Sequence, residues 1–154
     1  MHPNYPNEIR EEQFMEQRVI QTLSKQRDSG TIVELVENEA GVRFVVKRIL
    51  NLEAPIYRAI FQKETQALTR LKACENIVRI FRSDIQTSPD GRSEGVISME
   101  YVQGHPLARI LDIIPNASIR YYLVKQLTNA IRHAHQNSVI HRDINPSNIL
   151  ITDT

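Results

Sequence analysis

The sequence predicts an α+β fold, in which a five-stranded antiparallel sheet with one amphipathic helix is followed by a helical second half. Two observations predict it. Residues 18–102 hold short β-rich runs interrupted by a single stretch of helical spacing, and residues 103–154 hold mainly helical spacing. Gln103–Pro106, with its Gly and Pro, is the natural boundary between the halves.

Met1–Asn7 carries two Pro and two Asn without a period, so residues 1–17 read as a polar leader outside the core. Val19, Ile20 and Leu23 mark a first strand, and Thr31–Val36 and Val42–Ile49 a second and third. Asn38 and Gly41 supply the turn chemistry of a hairpin between those last two. After Pro55, apolar Ile56, Ile60, Ala67, Leu68 and Leu71 fall at helical spacings, which predicts one amphipathic helix. Ile77–Ile80 and Val96–Val102 complete the sheet around a polar loop, Gln86–Ser93, that contains Pro-Asp-Gly. In the second half a short helix near Leu107–Ile113 precedes a longer one over Ser118–Asn137, capped by Asn116 or Ser118.

Composition excludes several classes of function. Hydrophobic residues at 41% and charged residues at 24% describe a globular domain rather than a disordered or collagen-like chain. A formal net charge of +1 leaves no global field to attract nucleic acid or an anionic membrane, so neither is an expected partner. Cys74 is the only cysteine and cannot close an internal disulfide, which fits a reducing interior and predicts a cytoplasmic location. No run approaches the roughly 18 apolar residues of a membrane span, and the start of the chain is polar, so neither export nor anchoring is expected.

Chemistry concentrates in His141-Arg142-Asp143-Ile144-Asn145-Pro146-Ser147-Asn148, ahead of the apolar run Ile149–Ile151. Asp143 can accept the proton of an attacking hydroxyl, and five residues on Asn148 offers a side-chain oxygen for a divalent cation. The plainer alternative is a charged turn whose Asp and Asn cap backbone groups. Four residue types fixed at ~1/20 each over ~150 starting points arise by chance about once in a thousand sequences, which favours the chemical reading. Earlier in the chain, Val45-Val46-Lys47 ends a strand, and Glu64 lies on the helix seventeen residues later. A strand-end Lys and a helical Glu are ordinarily solvated, so this pair draws its weight from its place in the order of segments. Met99-Glu100-Tyr101-Val102-Gln103-Gly104 lies between that helix and the His141–Asn148 segment. His133 and His135, two apart on a helix, do not share a face and read as surface or packing residues rather than metal ligands.

In order and spacing these segments resemble the eukaryotic-type protein kinases over residues 18–153. The resemblance implies a protein-kinase-like α+β fold, with the five-stranded sheet and its αC-type helix as an N-lobe with hinge (18–102) and the first helices of a C-lobe (103–154). It implies ATP and Mg2+ as cofactors and a protein as substrate. Lys47 would hold the phosphates with Glu64 as its ion-pair partner. Gly30, Ile32, Val45 and Met99 would surround the nucleotide, and the backbone of Glu100 and Val102 would bond the base. Asp143 would orient the acceptor hydroxyl and Asn148 would bind magnesium. Pro146, two residues before Asn148, fits the serine/threonine branch.

Three features depart from that pattern. The family's three loop glycines correspond to Lys25, Arg27 and Gly30, so only the last is kept. Asn145, which with Asp143 the resemblance places among the catalytic residues, stands where serine/threonine members carry a Lys on the transferring phosphate, and the lost charge is expected to slow transfer. The sequence stops at Thr154, before an Asp-Phe-Gly segment, which predicts an N-terminal fragment inactive by itself, with a partner chain completing the fold. A pseudokinase-like module that binds nucleotide or a partner without catalysis is the alternative reading. A small-molecule phosphotransferase is a third.

Overall fold

The computed structural model describes residues 17–26, 30–114 and 116–152. Five strands, β1 (Gln17–Gln26), β2 (Thr31–Asn38), β3 (Arg43–Ile49), β4 (Ile80–Thr87) and β5 (Ser93–Glu100), form an antiparallel sheet in the order β1-β2-β3-β5-β4. Helix α1 (Pro55–Leu71) connects β3 to β4. Beyond the sheet come the three-residue strand β6 (Gly104–Pro106), the short helix α2 (Leu107–Ile110) continued by a 3-10 turn (Leu111–Ile113), and the long helix α3 (Ala117–Gln136). A second 3-10 turn (Pro146–Asn148) leads into β7 (Leu150–Thr152), which pairs antiparallel with β6.

The chain divides into two compact units. One holds the five-stranded sheet and α1 as far as Thr69, with Arg79–Tyr101; the other holds Arg70–Val78 and the described residues from Val102 onward.

In the first unit, alternation along β3 and β5 gives the sheet two apolar faces. Val36, Phe44, Val46 and Val96 cluster on one, with Phe81 against them. Ile49, Leu52, Phe61 and Ile97 cluster on the other, with Tyr57, Leu68, Ile80 and Met99 packed around them. Phe61, Tyr57 and Leu68 belong to α1, so the helix lies on this second face. Phe44, Ile49, Leu52, Ile97, Val36 and Val46 are almost wholly buried, and each such side chain contributes about 1.5–3 kcal/mol relative to exposure. The β2–β3 hairpin closes as expected: Val42 N donates to Asn38 Oδ1 at 2.9 Å, and Gly41 takes a φ of 76°.

Several boundaries differ from the sequence expectation. Strand β4 spans Ile80–Thr87 rather than Ile77–Ile80, and its loop shrinks to residues 88–92. As an edge strand β4 pairs only with β5 and carries polar Arg82, Ser83 and Asp84, so it lacks the apolar run expected of a buried strand. The buried stripe of α1 runs through Tyr57, Phe61 and Leu68, whereas Ile56 and Ile60 are 65% and 41% exposed. Strand β5 opens the space that selects this stripe: at Gly95 an added Cβ would lie 2.7 Å from Phe61 Cγ and 2.9 Å from Cε2. Within the stretch Gln103–Pro106, which the sequence gives as the boundary between the halves, Gly104–Pro106 forms β6 and pairs with β7. A Cβ on Gly104 would come within 2.9 Å of the Ile151 carbonyl carbon, so glycine there permits close backbone approach.

Candidate active site

The first cluster of sequence-predicted residues sits on the α1 face of the sheet. Lys47 on β3 stands in register between Val33 on β2 and Ile97 on β5. Packing of Phe61 and Leu68 orients α1 so that Glu64, three residues from one and four from the other, shares their face. Lys47 Nζ donates to Glu64 Oε1 at 2.6 Å and to Oε2 at 2.7 Å, with both side chains about a quarter exposed (24% and 27%). Partial burial lowers the local dielectric, so this charge-assisted pair is stronger than a surface ion pair.

Val45 is buried and stands opposite Met99. Glu100 is also buried; its backbone N donates to Arg79 O at 2.9 Å and its Oε2 accepts from Arg79 N at 3.3 Å. Gly30 has a φ of 58° and its carbonyl accepts from Leu50 N at 2.9 Å, anchoring the start of β2. Ile32 pairs in register with Arg48 and Lys25, one position from the Val33–Lys47 pair. Arg27, which the sequence places in the nucleotide loop, lies outside the described residues.

The second cluster belongs to the other unit and follows α3. Asn116 is the cap that starts this helix, accepting from Ile119 N at 2.9 Å. At the far end Asn137 N donates to His133 O and Ala134 O, and Ser138 turns the chain with a φ of 57°. Arg142 also adopts a positive φ, 67°, and Asp143 N donates to His141 Nδ1 at 3.3 Å. Asn145 then caps the 3-10 turn, its Oδ1 accepting from Ser147 N at 2.9 Å, with Pro146 at the first turn position. Leu107 N bonds Ile149 O at 2.8 Å, tying the end of this loop to the start of α2.

Within the loop three predicted side chains meet. Asn148 Nδ2 donates to Asp143 Oδ2 at 2.8 Å and to Asp143 O at 3.0 Å. Asn145 Nδ2 donates to Asp143 Oδ1 at 2.9 Å. An ionised carboxylate only accepts, so it draws the NH2 end of Asn148 and turns the amide oxygen away from Asp143. That oxygen is a hard donor of the kind magnesium selects, and the Lys47 ammonium is suited to phosphate oxygens. The residues present therefore fit Mg2+ and a nucleoside triphosphate.

Sequence reasoning missed the Asn145–Asp143 bond and the seating of Phe61 on Gly95. Only the second left a signal, an isolated glycine within a strand. Among the described residues no three His, Cys, Asp or Glu side chains gather as a metal site. His133 is half-buried, with no hydrogen-bond partner at Nε2. No described helix is long and apolar enough to cross a membrane.

The protein kinase domain family matches residues 26–154, and the chain belongs to that family. It is 34% identical over 97 residues to a probable serine/threonine-protein kinase of Clostridium acetobutylicum, covering 60% of this chain and 14% of that protein. It is 28% identical over 137 residues to the serine/threonine-protein kinase PknA of Mycobacterium tuberculosis, covering 81% of this chain and 30% of that protein. A mitogen-activated protein kinase of Botryotinia fuckeliana shares 30% identity over 127 residues, 80% of this chain and 34% of its own length. The chain thus spans about a third or less of the length of these relatives.

Proposed function

We propose that the protein carrying this chain is a cytoplasmic serine/threonine kinase that transfers the γ-phosphate of ATP to a hydroxyl of a protein substrate. The observation that carries this reading is the Lys47–Glu64 ion pair, closed at 2.6 and 2.7 Å by residues seventeen apart in sequence. It supports a phosphate-holding role because a Lys at that strand position is otherwise free to wander in solvent.

In this reading Lys47 grips phosphate oxygens while Glu64 fixes its direction. Gly30, Ile32, Val45 and Met99 border the nucleotide. The Glu100 N–H is bonded to Arg79 O, so the Glu100 carbonyl and the backbone of Val102 are the groups for the base. Asp143 orients the acceptor hydroxyl and takes its proton as the new P–O bond forms; the bond from the γ-phosphorus to the bridging oxygen breaks, and ADP leaves. Asn148 holds Mg2+ through its amide oxygen, and the ion supplies neutralisation of phosphate charge when bound.

The test is calorimetric titration with Mg·ATP. Wild type binds, K47M and E64Q lose affinity about tenfold or more, and D143A binds as wild type does. Equal affinity in K47M and wild type would remove the ion pair from the nucleotide site. Binding without any phosphate transfer would select instead a nucleotide-binding module without catalysis.

A further inference from the structure

We propose that Asn145 is a positioning residue that locks the Asp143 carboxylate, a role that rests on the assignment of Asp143 as acceptor of the substrate proton. Asp143 is solvent-exposed, and among the described residues its carboxylate oxygens meet two donors. Asn148 Nδ2 reaches Oδ2 at 2.8 Å and Asn145 Nδ2 reaches Oδ1 at 2.9 Å, one amide on each oxygen.

Asn145 is itself held at two points. Pro146 restricts the residue before it to extended backbone, and Asn145 has φ −144° and ψ 162°. Its Oδ1 accepts from Ser147 N at 2.9 Å, which fixes the side chain to the turn. Only the oxygen of an amide can accept from that N–H and only its nitrogen can donate to a carboxylate, so a flipped amide would forfeit both bonds. One side chain therefore couples the backbone of the Pro146–Asn148 turn to the reactive carboxylate, and Asn148 closes the other side. Asn145 Nδ2 also lies 3.4 Å from the Asp143 carbonyl oxygen, so both contacts that its two N–H donors make are to Asp143.

The cap and the clamp separate by substitution. Serine caps a turn about as well as asparagine, so Asn145→Ser retains the bond to Ser147 N and lacks the donor to Asp143. Asn145→Asp also retains the cap and sets a second carboxylate beside the first. In the nucleotide-free chain, the Hα–Hβ scalar couplings of Asp143 are expected to report a single rotamer. In N145S and N145D they average, and the side-chain amide signals of Asn148 move, with thermal stability nearly unchanged. In phosphate transfer N145S lowers kcat about tenfold with KM for ATP unchanged, as a misdirected group does. A single Asp143 rotamer persisting in N145S, or averaged couplings already in wild type, would overturn the proposal. Because the couplings are read without nucleotide or substrate, loss of the clamp is distinguishable from failure of the kinase reading, which shows instead as transfer undiminished in D143A.

Discussion

Replacing Gly95 by alanine tests how the sheet sets the ion pair. The new Cβ would stand 2.7 Å from Phe61 Cγ and 2.9 Å from Cε2, and nearer still to Cδ2, against 3.4–4 Å for ordinary contact. The ring must therefore retreat by roughly 1 Å, and overpacking on this scale costs about 1–3 kcal/mol. Phe61 is 6% exposed within the Ile49–Leu52–Ile97 cluster, so the ring has little room and α1 moves with it. Glu64 lies three residues further along the same helix, and the move lengthens its 2.6 and 2.7 Å contacts with Lys47. Denaturant unfolding is expected to show the loss in stability, and titration with Mg·ATP a parallel loss of affinity. Phe61→Leu in the G95A background makes room for the methyl group, so the double variant should be more stable than the sum of the single effects by about 1 kcal/mol or more. A G95A protein within about 0.5 kcal/mol of wild type, or strict additivity in the cycle, would refute this account of how α1 is seated.

Other consequences are more local. Asn116→Ala removes the acceptor for Ile119 N and should destabilise the unit carrying α3 by about 1 kcal/mol in chemical unfolding, with N116S or N116D close to wild type. Glu53 Oε1 accepts from Ser93 N at 2.6 Å, and this backbone bond, followed by one to its own N–H, holds the carboxyl below the usual glutamate value of 4.5. The ionised form is favoured by folding, so its stabilisation is full above pH 4.5 and fades as pH falls through the lower folded-state value. Melting curves of wild type and E53Q should accordingly converge on acidification, and a gap that is constant with pH would contradict the assignment.

Much of the fold was legible because its signals are local. The β2–β3 hairpin announced itself through Asn38 and Gly41, and α3 through Asn116 and a long periodic stretch. Strand β4 was misplaced because an edge strand needs no apolar run, and three polar residues in its middle concealed it. In α1 the sequence reading placed Ile56 and Ile60 on the apolar face, whereas the fold packs Tyr57 and Phe61, one residue on, into the core. The space for Phe61 is left by Gly95, more than thirty residues away, which no local period encodes. Strands β6 and β7, three residues each, are too short for any periodicity to register. For the candidate site, the pattern of residue types gave Lys47, Glu64, Asp143 and Asn148, and the fold brings the first two into contact and the last two into contact. The bond from Asn145 to Asp143 was not legible, since an amide in a turn can cap the backbone, hold a side chain or do both, and only the folded loop decides.

The most direct test is transfer of label from γ-labelled ATP, with Mg2+, to a general protein acceptor such as casein, comparing the whole protein that carries this chain with its D143A and K47M variants. Wild type should label serine or threonine, D143A should abolish labelling while still binding Mg·ATP, and K47M should lose both. Labelling by D143A at the wild-type rate would contradict the assignment of Asp143 and with it the proposed phosphoryl-transfer site.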